Sequence, residues 1–129
     1  MFKQGPIPAF VHGIVEYLAA ALFIAAPFVF SFEDDTATAV SIVVGVLVLI
    51  VTASTALPTG LIKSIPVQAH AVIDFLLAGV LIAAPFLFGF SDDSTATAFF
   101  IIIGVVHLLM TIATRFVGED RPRRTREAA

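Results

Sequence analysis

The sequence predicts an all-α integral membrane protein, with four transmembrane helices forming two parallel tandem helical hairpins in a pseudo-two-fold bundle. Three observations lead there. The 129 residues are 59% hydrophobic and 13% charged, with a mean hydropathy of +1.04. Soluble domains run roughly 45–50% apolar and about 25% charged, and a short chain has too little interior to hide the difference. Four apolar runs of about 20 residues stand between charged breaks, and at about 1.5 Å per residue each covers the roughly 30 Å hydrocarbon layer. The second half of the chain also repeats the first. With no cysteine in the sequence, disulfide scaffolds, thiolate zinc sites, iron–sulfur ligation and thiol nucleophiles are excluded.

The first helix is expected over about 9–32, behind Pro6 and Pro8, where a missing amide proton costs nothing. The second is expected over about 37–57, capped by Asp35 before Thr36 and closed by Pro58 and Gly60. Pro66 opens the third, about 67–90, and Asp93-Ser94 caps the fourth, about 95–117, which Gly118 closes. Strands do not suit the chain, because a spanning barrel needs at least about 8 alternating strands. Lys3 before the first apolar run resembles a signal peptide, but the run is too long, carries Glu16 and recurs later.

Ile7, Pro8, His12, Glu16, Pro27, Phe28, Phe30 and Phe32 fall on Ile65, Pro66, His70, Asp74, Pro85, Phe86, Phe88 and Phe90, an offset of 58. After one inserted residue, Thr36-Ala37-Thr38-Ala39, Gly45, Thr52 and Thr55 fall on Thr95-Ala96-Thr97-Ala98, Gly104, Thr111 and Thr114. Residues 1–60 are therefore one two-helix unit and 61–117 a second. Two crossings per unit send both copies into the membrane in the same direction, so the repeats are parallel. Each unit is an apolar helix ending in Ala-Pro-Phe-(Val/Leu)-Phe-(Ser/Gly)-Phe, then an acidic turn, then a second helix with glycine. This pattern resembles the SPW repeat of small bacterial membrane proteins. At the signature positions stand Ala26-Pro27-Phe28 and Ala84-Pro85-Phe86. The resemblance implies a topology of helical pairs and no activity, catalytic residue or ligand.

Pro27 and Pro85 each remove a backbone hydrogen bond and should bend or end their helices near Phe23 and Leu81. They are read as helix terminators, the alternative being a hinge or a mouth that offers carbonyls to an ion. His12/Glu16 and His70/Asp74 stand at i,i+4 spacing, one pair on the face of each odd-numbered helix. His107 lies 12 residues into the fourth helix, roughly 18 Å from its outer end and level with the two acids. A charge facing lipid is costly, so these five residues should converge on the bundle interior. The leading expectation is polar glue, with no metal and no cofactor held. The alternatives are a divalent metal site, a proton relay through histidine, or a bis-histidine haem. Val48 stands where the second repeat has His107, which argues against a symmetric two-metal site. Ser41, Gly45, Thr52 and Thr55, with Gly104, Thr111 and Thr114, form small and hydroxyl stripes expected at the contact between repeats.

Lys3, Lys63, Arg115, Arg121, Arg123, Arg124 and Arg126 all fall on one side of a four-crossing chain, whereas Glu33-Asp34-Asp35 and Asp92-Asp93 occupy the other. The positive-inside rule then places both termini in the cytoplasm, and the resemblance to small bacterial membrane proteins implies a bacterial inner membrane. Residues 118–129 read as a disordered basic cytoplasmic tail beside an anionic leaflet. No aromatic residue interleaves its charges, so no nucleic-acid partner is expected. No nucleophile elbow, phosphate loop or zinc-binding helix appears. The expected protein is thus not an enzyme. It is a structural or accessory component of the lipid bilayer that associates with itself or with a larger membrane complex. The rival expectation is a minimal proton, ion or small-solute pathway through the polar cluster, and a third is a cofactor-binding membrane subunit.

Overall fold

The structure, a computed structural model, describes residues 6–115. The expected tail, 118–129, lies outside the described residues. Four helices follow in order: α1 (Ala9–Val29), α2 (Asp35–Ala53), α3 (Val67–Leu87) and α4 (Ser94–Ala113). All four are long and apolar enough to cross a membrane, and only 28–39% of each span is buried within the protein. Most of each helix surface therefore faces outward, and the outward side chains are apolar, among them Leu18, Leu76, Ile102 and Leu109. A solvent of lipid accounts for that arrangement; water would not. The protein is a multi-pass membrane protein.

The first and third helices stop short of their apolar runs for a local reason. Beyond α1, Ser31 takes a left-handed φ of 54°, and the amide of Phe32 donates back to the Pro27 carbonyl at 3.0 Å. Beyond α3, Gly89 has φ 73°, and the Phe90 amide donates to the Pro85 carbonyl at 2.9 Å. This is the Schellman form of helix ending, in which a left-handed residue folds the chain back onto the last free carbonyls. The shared Pro-Phe-x-Phe-(Ser/Gly)-Phe segment is thus a helix C-terminus, with its proline inside the last turns of the helix. Pro27 leaves the Phe23 carbonyl without its usual amide, and the Ser41 hydroxyl of α2 donates to that oxygen at 2.6 Å. The second repeat has Phe100 at the matching position.

The second and fourth helices start on aspartates. Asp93 accepts from the Ala96 amide at 3.1 Å, as expected of a cap. In the first repeat the cap is Asp34, accepting from Ala37 at 3.0 Å, and not Asp35, which falls inside the helix. Asp34 and Asp93 are the equivalent pair, so the repeat itself points to the right residue. Asp93 also accepts the amides of Glu33 and Asp34, at 2.9 and 3.0 Å, and so ties the two acidic turns together. Desolvation works against its charge, but the amides of Asp34, Ala96, Glu33 and Thr95 outweigh it and hold the Asp93 carboxyl below the usual carboxylate range.

Packing is tight within hairpins. A Cβ on Gly45 would stand 2.7 Å from the Ala20 carbonyl of α1, and one on Gly104 would stand 2.8 Å from Ile82 Cγ1 of α3. The glycines therefore seat α2 on α1 and α4 on α3, within a repeat; of the stripe expected between repeats, Thr55 and Thr114 do reach across, to His70 and His12. Toward the acidic turns the repeats meet through phenylalanines, with Phe23 of α1 packing on Phe99 and Phe100 of α4 at ring-centre distances of 5.1 and 5.7 Å. At the opposite end, Ile7–Pro8 (β1) pairs in parallel with Thr114–Arg115 (β2). Thr55 makes a single parallel bridge with Ile65. These are the same contact made twice, since Ile7 corresponds to Ile65 and Thr114 to Thr55. The entry of each repeat is paired with the exit of the other.

Candidate functional site

His12 and Glu16 rise from the first turns of α1, and His70 and Asp74 from the first turns of α3. All four side chains are buried, with Asp74 the most exposed at 2%. They form an alternating square. His12 Nε2 lies 2.8 Å from Glu16 Oε1 and 2.9 Å from Asp74 Oδ2. His70 Nε2 lies 2.9 Å from Glu16 Oε2 and 3.1 Å from Asp74 Oδ2. Each imidazole thus faces one acid of its own helix and one of the other repeat, and the pseudo-two-fold axis runs through the middle.

Two threonines hold the rings. The Thr114 hydroxyl donates to the Met110 carbonyl at 2.6 Å, which leaves its oxygen to accept Nδ1–H of His12 at 2.7 Å. The Thr55 hydroxyl donates to the Val51 carbonyl at 2.6 Å and accepts Nδ1–H of His70 at 2.7 Å. With the proton fixed on Nδ1, each Nε2 faces two carboxylates. A lone pair on Nε2 would repel them, so a positive centre, a proton or another cation, belongs between. The threonines cross between repeats: Thr114 ends α4 but serves α1, and Thr55 follows α2 but serves α3. Sequence reading placed both in a packing stripe. Their recurrence as hydroxyls in both copies, level with the histidines, is the signal that marks them.

The symmetry breaks at one place. Glu16 Oε2 also accepts from the Thr52 hydroxyl at 2.7 Å. Its counterpart Asp74 is one methylene shorter, and Thr111, which matches Thr52, donates instead to the His107 carbonyl at 2.8 Å. On that side His107 Nε2 approaches Asp74 Oδ1 to 3.6 Å. This nitrogen is buried and makes no hydrogen bond. All five residues expected to converge are therefore together in the bundle interior. Pro27 and Pro85 lie outside the cluster, about three helical turns from the acids. A haem between the two histidines does not fit, because both carboxylates sit against both Nε2 atoms.

Two lateral cavities flank the square. One, of about 220 Å³, opens between α1 and α4 and is lined by Leu18, Phe23, Leu81, Val106, Met110 and, at its polar end, His107. The other, of about 170 Å³, lies between α2 and α3 and reaches Thr52, His70 and Asp74. Both walls are almost wholly apolar.

The SPW repeat domain model matches residues 10–114. The chain belongs to the SPW repeat family. The match spans both hairpins and covers the residues of the square, the two Schellman endings and the threonine supports. In this SPW repeat protein the signature proline builds a helix terminus, and the buried polar groups lie at the far end of the same helix. No curated protein and no solved structure matches the chain.

Proposed function

We propose that this SPW repeat protein is a structural or accessory component of the bacterial inner membrane that carries out no chemistry of its own. In this reading both termini are cytoplasmic, and the bundle associates with itself or with a larger membrane complex. The square joins the hairpins. The observation that carries the reading is the composition of the interior beyond it. From Glu16 and Asp74 toward the acidic turns, the buried positions of α1 and α3 are Ala20, Phe23, Ala26, Pro27, Ala78, Leu81, Ala84 and Pro85. No chain of polar groups continues along them to carry a proton or ion across. The charge asymmetry, with Lys63 on the square's side and the aspartates on the other, supports the orientation.

A second reading, a minimal proton, ion or small-solute pathway, is favoured by His107, whose Nε2 makes no hydrogen bond and stands beside Asp74 at the edge of a cavity. Proteoliposomes loaded with a pH dye separate the two. The structural reading expects no flux above empty vesicles, together with a lower Tm in detergent for Glu16→Gln. Flux that Glu16→Gln abolishes overturns it in favour of the pathway.

A further inference from the structure

We propose that His12, Glu16, His70 and Asp74 form a binding site for one first-row divalent transition-metal ion, held by two imidazole nitrogens and two carboxylate oxygens on the axis between the repeats. The site rests on the structural reading above, since an ion there would bridge the two hairpins. It departs from the expectation, drawn from the sequence, that no metal is held.

The spacing fits. One ligand atom from each residue can be chosen so that all four lie within 4.8 Å of one another. Zinc–nitrogen and zinc–oxygen bonds are about 2.0–2.2 Å, which puts neighbouring ligands of a tetrahedral ion roughly 3.3 Å apart. With Oε1 taken as the Glu16 ligand, the four nitrogen–oxygen edges are 2.8, 2.9, 3.1 and 3.1 Å, so the edges open by a few tenths of an ångström while the wider pairs among the four ligands, within 4.8 Å, close toward the same spacing.

The donors fit as well. Metal-bound histidines characteristically donate their second ring N–H to a fixed acceptor, which sets the tautomer and aims the other nitrogen. Thr114 and Thr55 do this on both sides, and each is itself anchored to a backbone carbonyl. Two neutral imidazoles and two carboxylates carry a charge of minus two, which a divalent ion cancels within the membrane. Nitrogen and oxygen donors without thiolate select ions of the manganese-to-zinc series over soft ions such as copper(I). His107, whose Nε2 makes no hydrogen bond and lies 3.6 Å from Asp74 Oδ1, orients that carboxylate or supplies a fifth donor. One ion on the axis also needs no counterpart of His107 in the first repeat.

The test uses the full chain in mild detergent, stripped with a chelator and titrated with cobalt(II), followed by zinc(II). The expected result is one cobalt per chain, with the intense visible bands of a four- or five-coordinate ion, displaced by zinc. Asp74→Asn should abolish the bands. Thr55→Val, which keeps all four ligands, should weaken binding about 10- to 100-fold in folded protein. A folded wild-type chain that shows no such bands under excess cobalt overturns the site, and so does binding that Thr55→Val and Asp74→Asn both leave unchanged. Should Asp74→Asn fail to fold, the wild-type stoichiometry and Thr55→Val decide. The outcomes also separate the two readings. Absent cobalt bands with a lowered Tm for Glu16→Gln remove the metal and keep the join between hairpins, whereas metal binding alongside dye-reported flux removes the structural reading alone.

Discussion

Ser31 and Gly89 hold the same place in the two repeats and take nearly the same backbone turn, with φ of 54° and 73°. A side chain in that region costs about 1 kcal/mol or more, and glycine avoids the cost. Ser31→Gly should therefore stabilise the protein by about 1 kcal/mol, and Gly89→Ala, with no atom near enough to clash, should destabilise it by a similar amount through the backbone alone. Thermal melts in one detergent check both, and equal Tm values for the two variants would refute the account. Asp93 does more than Asp34, since it caps α4 and also takes two amides of the other turn. Asp93→Ala should cost about 1–2 kcal/mol and Asp34→Ala about half that. The sign of the pH effect follows from the lowered pKa. The unfolded chain takes up the proton first, so the stabilisation from Asp93 is full above the ordinary carboxylate value of about 3.9 and is lost as pH falls through its lower folded value. Melts at falling pH should converge for wild type and Asp93→Asn in that acidic range.

At the scale of the helix, Gly45 and Gly104 differ in what an added side chain would strike. A Cβ on Gly45 meets the Ala20 carbonyl oxygen and Ile24 Cγ1, both at 2.7 Å, and the Ile24 amide nitrogen at 3.0 Å, whereas one on Gly104 meets Ile82 Cγ1 at 2.8 Å and Leu81 Cβ at 3.1 Å, with the Ile82 amide nitrogen at 3.2 Å and no carbonyl oxygen among the three. Leucine at either should cost about 1–3 kcal/mol by overpacking, with alanine tolerated better at 104 than at 45. Unchanged melting of all four variants would place the glycines on lipid. Helix number, approximate bounds and the level of the five polar residues were legible in the sequence, because hydropathy and a period of 3.6 residues are local properties repeated twice. The pairing of Thr55 with His70 and of Thr114 with His12 was not, since both threonines lie past the end of a helix and serve a ring on another one. The seat of Gly45 was misplaced for a similar reason: a small-residue stripe says that a neighbour comes close but not which neighbour. Ser41 answering the Phe23 carbonyl could have been found by asking what replaces each amide that a proline removes.

For the molecule as a whole, the repeat makes orientation a single question, because both hairpins must insert the same way. The charge asymmetry expects cysteines placed at Asp34 and Asp92 to react with an impermeant reagent from outside the cell, and cysteines at Lys63 and Arg123 to be shielded. Reversed labelling would invert the topology, and mixed labelling would mean dual insertion. The doubled contact at the Lys63 side, Ile7 with Thr114 and Ile65 with Thr55, has a consequence for chain order. The 56–64 connection is simply one of two places where an exit strand could be joined to the neighbouring entry. The order of the hairpins is then arbitrary: a circular permutant that links Arg115 back to Ile7 by a segment as long as 56–64, and opens the chain within 58–62, should assemble into the same bundle. Retention of the wild-type melting profile in such a rewired chain would show that the fold is a closed ring of two halves, in which the point where the chain begins is incidental.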